Sequence, residues 1–72
     1  MLSAKIIGEK LVSLRGDKSQ KEVADAVQVS CSAIANYEAG YRIPRDEVKE
    51  RIAAYYGISI ESLFYTAEVH GM

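Results

Sequence analysis

Apolar positions along this chain recur at the spacing of one helical face and never alternate as a strand does. Ile7, Leu11 and Leu14 fall at i, i+4 and i+7, the core-facing stripe of a helix from a Ser3 cap to about Arg15. Val23 and Val27 share a second face, and Ala33 and Tyr37 a third, with Ile34 beside them. Val48, Ile52, Ala53 and Tyr56 form the inward side of a fourth helix, which leaves Lys49, Glu50 and Arg51 pointing out. Ile58, Ile60, Leu63 and Phe64 close the core from a short fifth helix ending near Tyr65.

Punctuation agrees with this division. Ser19, with Glu22 three residues on, predicts a capping box, and Ser30 and Ser59 are N-caps for the third and fifth helices. Gly16, Gly40 and Gly57 are stops. Pro44 suits a helix entrance, with Arg45 or Asp46 as the cap that follows it. The expected architecture is all-α, five helices in one compact domain over residues 1–65. Residues 66–72 carry no period and read as a flexible tail.

The run from Ser19 to Glu38 organises the rest. It predicts two short helices joined by a tight corner, with Val29 plugging the corner and Ala24 small where the helices approach. That is the arithmetic of a helix-turn-helix, whose second helix can lie in a DNA major groove.

Ser19-Gln20, Val23-Ala24, Val27, Val29-Ser30, Ile34, Tyr37-Glu38 and Gly40 resemble the helix-turn-helix of the phage repressor and Cro family, also called the xenobiotic-response-element type. Arg42–Val48 and Tyr55–Ser59 resemble the entry and exit of that family's fourth helix, so the likeness spans about residues 4–65. It implies a lambda-repressor-like fold. It also implies a sequence-specific regulator of double-stranded DNA, of phage or mobile-element type and acting as a repressor. Such a protein binds as a homodimer to an inverted repeat, with reading helices about 34 Å apart. Only the fifth helix and tail offer a self-association surface in this length, and Tyr55 and Tyr65 are candidates for it. Of the other tyrosines, Tyr37 and Tyr56 read as inward and Tyr41 as outward.

The resemblance assigns base contact to the outward residues of the second motif helix: Cys31, Ser32, Ala35 and Asn36. An Asn amide can bond adenine N6 and N7 together, a Ser hydroxyl suits any base, and an Ala methyl suits the thymine methyl. Cys31 stands where relatives carry Arg or Gln. It offers an apolar contact or, as the alternative, an activated thiol at a helix N-terminus. Phosphate contact falls to Lys18, Gln20, Lys21 and Ser30 around the motif, and to Tyr41, Arg42 and Arg45 after it. In relatives an arginine late in the first helix pairs with the glutamate ending the second motif helix, which here implies an Arg15–Glu38 ion pair. Gln28 replaces the family's usual corner glycine, at a cost of ~1–2 kcal/mol if its backbone is left-handed.

Charge complicates the picture. The net charge is −1, where a DNA-binding domain is expected to be basic. The distribution is more informative: residues 1–21 carry a net +3, residues 22–40 a net −3 and residues 41–51 a net +1. Cations therefore flank the motif on both sides. The cation-free second helix leaves open a protein-interaction module of antitoxin or anti-repressor type, with little DNA affinity.

One cysteine excludes an internal disulfide and fits a reducing compartment. No leader pattern or apolar run of membrane-span length is present, so the expectation is a cytoplasmic chain with no membrane association. Cys31 and His70 alone resemble a nucleophile and base, with no third group to orient them. The sequence therefore predicts neither an enzyme nor a cofactor, metal or small-molecule site.

Overall fold

A computed structural model of the chain describes residues 1–65; the expected tail, 66–72, lies outside the described residues. Four α-helices, α1 (Ala4–Arg15), α2 (Gln20–Val27), α3 (Cys31–Glu38) and α4 (Asp46–Tyr56), are followed by a π-helical turn, Glu61–Tyr65.

Local chemistry sets the boundaries. Ser3 Oγ accepts from Ile6 N at 3.2 Å, Ser19 Oγ from Glu22 N at 3.0 Å and Ser30 Oγ from Ala33 N at 3.0 Å. Each hydroxyl takes one N–H that the first helical turn cannot satisfy internally. Only half of the expected capping box forms: Glu22 returns no side-chain bond to the Ser19 N–H. The cap of α4 is Arg45, with no side-chain cap bond. Asp46 and Glu47 sit in the first turn instead, where the helix dipole favours negative charge. Ser59 Oγ accepts from Ser62 N at 3.1 Å, so the fifth element begins as expected but closes as a π-helical turn.

Between α2 and α3 the chain turns at Gln28, which is left-handed at φ 63, ψ 48. Its N–H bonds back to the Ala24 carbonyl, as does that of Val29 at 3.0 Å, which stops α2 sharply and sets the corner.

The core comprises Ile7 and Leu11 of α1, Val23, Ala24 and Val27 of α2, Ile34 and Tyr37 of α3, Val48, Ile52 and Ala53 of α4, and Leu63 and Phe64 of the last turn. Leu14, Val29, Ala33, Tyr56, Ile58 and Ile60 are partly buried against it, as is Tyr55, the other candidate for self-association beside Tyr65. Leu2 also enters the core, and its N–H donates to the Phe64 carbonyl at 2.9 Å. Both ends of the described chain are thereby joined.

Two residues expected to point outward do not. Lys49 is only 4 % exposed. Its Nζ donates to the Tyr65 hydroxyl at 3.0 Å, lies over the Tyr65 ring at 4.9 Å and reaches Asp46 Oδ1 at 3.5 Å. The aliphatic stem can be buried because an aromatic face and a hydroxyl receive the ammonium. Arg51 is half-buried, and its Nε donates to the Val27 carbonyl at 2.8 Å, closing the end of α2 from α4. Among the described residues no helix is long and apolar enough to cross a membrane.

Candidate nucleic-acid interface

Ile34 and Tyr37 are buried and anchor α3, which turns its opposite side to solvent. Cys31 and Ser32 are exposed there, and Ala35 and Asn36 are half-buried. Ala39, immediately after the helix, is also exposed. It lies seven residues past Ser32 and so continues the same face by two helical turns. The sequence reading missed it; stepping i+3 and i+4 from Asn36 and Ala35 would have found it. Among the described residues the Ser32 and Asn36 side chains have no intramolecular hydrogen-bond partner, so their polar atoms remain available. Cys31 is a free, exposed thiol.

The cations around α3 differ in their freedom. Lys18, Arg42 and Arg45 are exposed and make no side-chain hydrogen bond or ion pair among the described residues. Lys21 is exposed but pairs with Asp25 at 2.9 Å. That bond with Asp25 is the main reason its pKa is raised. Tyr41 is 79 % exposed, at the start of a loop that leaves α3 through the bond from Tyr41 N–H to the Asn36 carbonyl, 3.0 Å. Pro44 is buried and holds that loop against the domain, so Arg42 and Arg45 emerge from an anchored segment.

Gln20 is half-buried, and its Nε2 donates to Glu38 Oε1 at 2.9 Å, which orients the amide while its other N–H and its carbonyl oxygen stay unengaged among the described residues. The start of α2 also presents its first-turn backbone N–H groups outward. Glu38 also accepts from Arg15 Nε at 2.7 Å, and Arg15 Nη1 donates to the Lys18 carbonyl at 2.6 Å. The hydrogen bond to Glu38 is the largest cause of the raised Arg15 pKa. Tyr56 lies close enough to be influenced by Glu38, and burial pushes its phenol up to about 12. One carboxylate thus ties α1, α2 and α3 together behind the outward face. Ser30 Oγ is likewise occupied as a cap, leaving its hydroxyl hydrogen to donate.

A small, uncharged helix face flanked by free cations on anchored loops is the arrangement with which the motif meets a duplex. The helix-turn-helix family model matches residues 12–63, a span that includes α2, the corner, α3, the loop and α4. The chain belongs to the helix-turn-helix family. It is 31 % identical over 70 residues to the cryptic phage CTXphi transcriptional repressor RstR of Vibrio cholerae, a match covering 97 % of this chain and 60 % of that protein. The chain thus spans less than two thirds of that relative's length. No solved structure matches it. Within this helix-turn-helix domain, and among the described residues, no three His, Cys, Asp or Glu side chains cluster as a metal site.

Proposed function

We propose that the domain binds double-stranded DNA in a sequence-specific manner and acts as a transcriptional repressor of phage type. In this reading α3 lies in the major groove, Asn36 bonds an adenine, and Ser32, Cys31, Ala35 and Ala39 touch neighbouring base edges. Lys18, Lys21, Ser30, Tyr41, Arg42, Arg45 and the α2 N-terminus, with Gln20 contributing its backbone N–H, hold the phosphates on either side. The chain acts as a homodimer on an inverted repeat, through the region of the last turn where Tyr65 is exposed. A role on DNA places it in the cytoplasm.

One observation carries the proposal: among the described residues, the outward face of α3 keeps the Ser32 and Asn36 side chains unpartnered, and the exposed cations Lys18, Arg42 and Arg45 are unpartnered as well. The family match and the similarity to a phage repressor support it. The net charge of −1 favours the second reading, a protein-interaction module.

Selection of bound sites from a random duplex pool, followed by affinity across a salt series, separates the two. A regulator recovers a two-fold symmetric site and shows a steep log–log salt slope from counterion release. Recovery of no sequence, with a flat slope, removes the DNA reading and leaves the interaction module.

A further inference from the structure

Helices α1 and α3 cross at Gly8. A Cβ built there would stand 2.5 Å from the Glu38 carbonyl oxygen and 2.8 Å from that of Tyr37. Both obstacles are backbone atoms, so neither can swing aside as a side chain would. The close contact continues past the end of α3, where a Cβ on Gly40 would meet Lys5 Cα at 3.1 Å. The C-terminal half of α3 therefore rests on the backbone of the first half of α1.

Glycine inside a helix is unfavourable relative to alanine, and Gly8 is buried in the middle of α1. The crossing explains its presence. A Cβ needs at least about 3.0 Å from those oxygens, so any side chain widens the spacing between α1 and that end of α3 by at least about 0.5 Å. Functional constellations must be held within about 0.5 Å of their productive geometry, so a displacement of this size reaches the limit. The other end of α3 is held separately by the Gln28 corner and the Ile34 anchor, so the displacement is a tilt. Asn36 and Ala39 flank the lifted carbonyls, whereas Ser32 sits near the pivot.

We propose that Gly8, which lies outside the candidate interface, is a positioning residue for sequence discrimination: its missing side chain sets the tilt at which α3 meets the bases. The proposal rests on the reading of α3 as the DNA-reading helix. Gly8 acts through Glu38 and Tyr37 and touches no base itself.

The test compares Gly8→Ala with the unaltered protein on the selected duplex and on a random duplex, across a salt series. The unaltered protein is measured first; if it binds no duplex, the DNA reading fails and takes this inference with it. Given binding, Gly8→Ala is expected to lose about tenfold on the selected duplex, with affinity for random duplex and the salt slope unchanged. Base preference relaxes opposite Asn36 and persists opposite Ser32. Ile52→Val, a buried change on α4, supplies a destabilised control whose ratio of selected to random affinity stays at the unaltered value. If Gly8→Ala is unfolded at the assay temperature, the same ratio is read in trimethylamine N-oxide, which favours the compact state. An unchanged ratio in folded Gly8→Ala, or equal losses on both duplexes, overturns the proposal.

Discussion

Arg15 Nε donates to Glu38 Oε2 across 2.7 Å, joining the last turn of α1 to the last turn of α3 beside a carboxylate whose side chain is only 5 % exposed. Gln20 takes the other carboxylate oxygen, so Glu38 is satisfied only while all three helices are in place. Arg15→Ala leaves a nearly buried charge short of its main partner. The expected loss is about 3 kcal/mol, which for a domain of this size lowers Tm by roughly 12–24 °C. Glu38→Gln removes the charge and keeps an acceptor, and it leaves a guanidinium with some access to water, so its loss is smaller. Thermal melts followed by circular dichroism give the order of the two; the reverse order would mean that the carboxylate is not the critical buried group.

The corner offers a gain. Gln28 pays for a left-handed backbone that glycine adopts freely, and its side chain is exposed. Gln28→Gly should raise stability by about 1 kcal/mol and Tm by roughly 4–8 °C. A fall in Tm would show that the glutamine side chain makes a stabilising contact at the corner.

On DNA, Asn36 and Arg42 should behave differently. Asn36→Ala is expected to lose about 1–3 kcal/mol on the selected site and to relax preference at one base position, with random duplex unaffected. Arg42→Ala should weaken all duplexes alike and reduce the salt slope by about one unit. Equal losses on selected and random duplex for Asn36→Ala would remove it from the base-reading set. An unaltered slope would do the same for Arg42 and phosphate.

Alkaline pH provides a check on the packing around the network. Burial raises the Tyr56 phenol to about 12, above the ordinary value near 10. Between those values the unfolded chain loses its phenolic proton while the folded chain keeps it. The stabilising contribution of Tyr56 is therefore intact below about pH 10 and declines as pH rises toward 12. Lys49 acts in the same direction, because its hydrogen bond to Tyr65 raises its pKa and favours the charged form in the folded state. Urea midpoints measured from neutral to alkaline pH should fall above about pH 10, and Tyr56→Phe should flatten part of that fall. Phenolate absorbance should contain a late component that Tyr56→Phe removes; a late component unchanged in Tyr56→Phe would contradict the burial of the Tyr56 phenol.

Much of this could be read from residue order, because helices are local. The stripes Ile7–Leu11–Leu14 and Val48–Ile52 depend on neighbours three and four positions away. So do the caps Ser3, Ser19, Ser30 and Ser59, whose bonds span three residues, and the outward face of α3 follows from where Ile34 and Tyr37 point. Each of these is settled within a turn or two of chain.

Contacts between elements distant in sequence were decided in three dimensions. Lys49 is charged and sits on a face that periodicity calls polar, yet Tyr65 arrives from another element and covers it. Gln20 is polar at an exposed helix start, yet Glu38 arrives from α3 and claims its amide. Leu2 precedes the first stripe and joins the core only because the last turn returns to it. Gly8 carries no polarity signal at all; its value lies in the carbonyls of Tyr37 and Glu38, which reach it only once α3 has crossed α1. The sequence determined the four α-helices and the apolar stripe of each, since those are short-range balances of burial and capping. How closely two of them approach, and which polar group pairs with which, required the assembled fold, where backbone and side chains far apart in the chain compete for the same space.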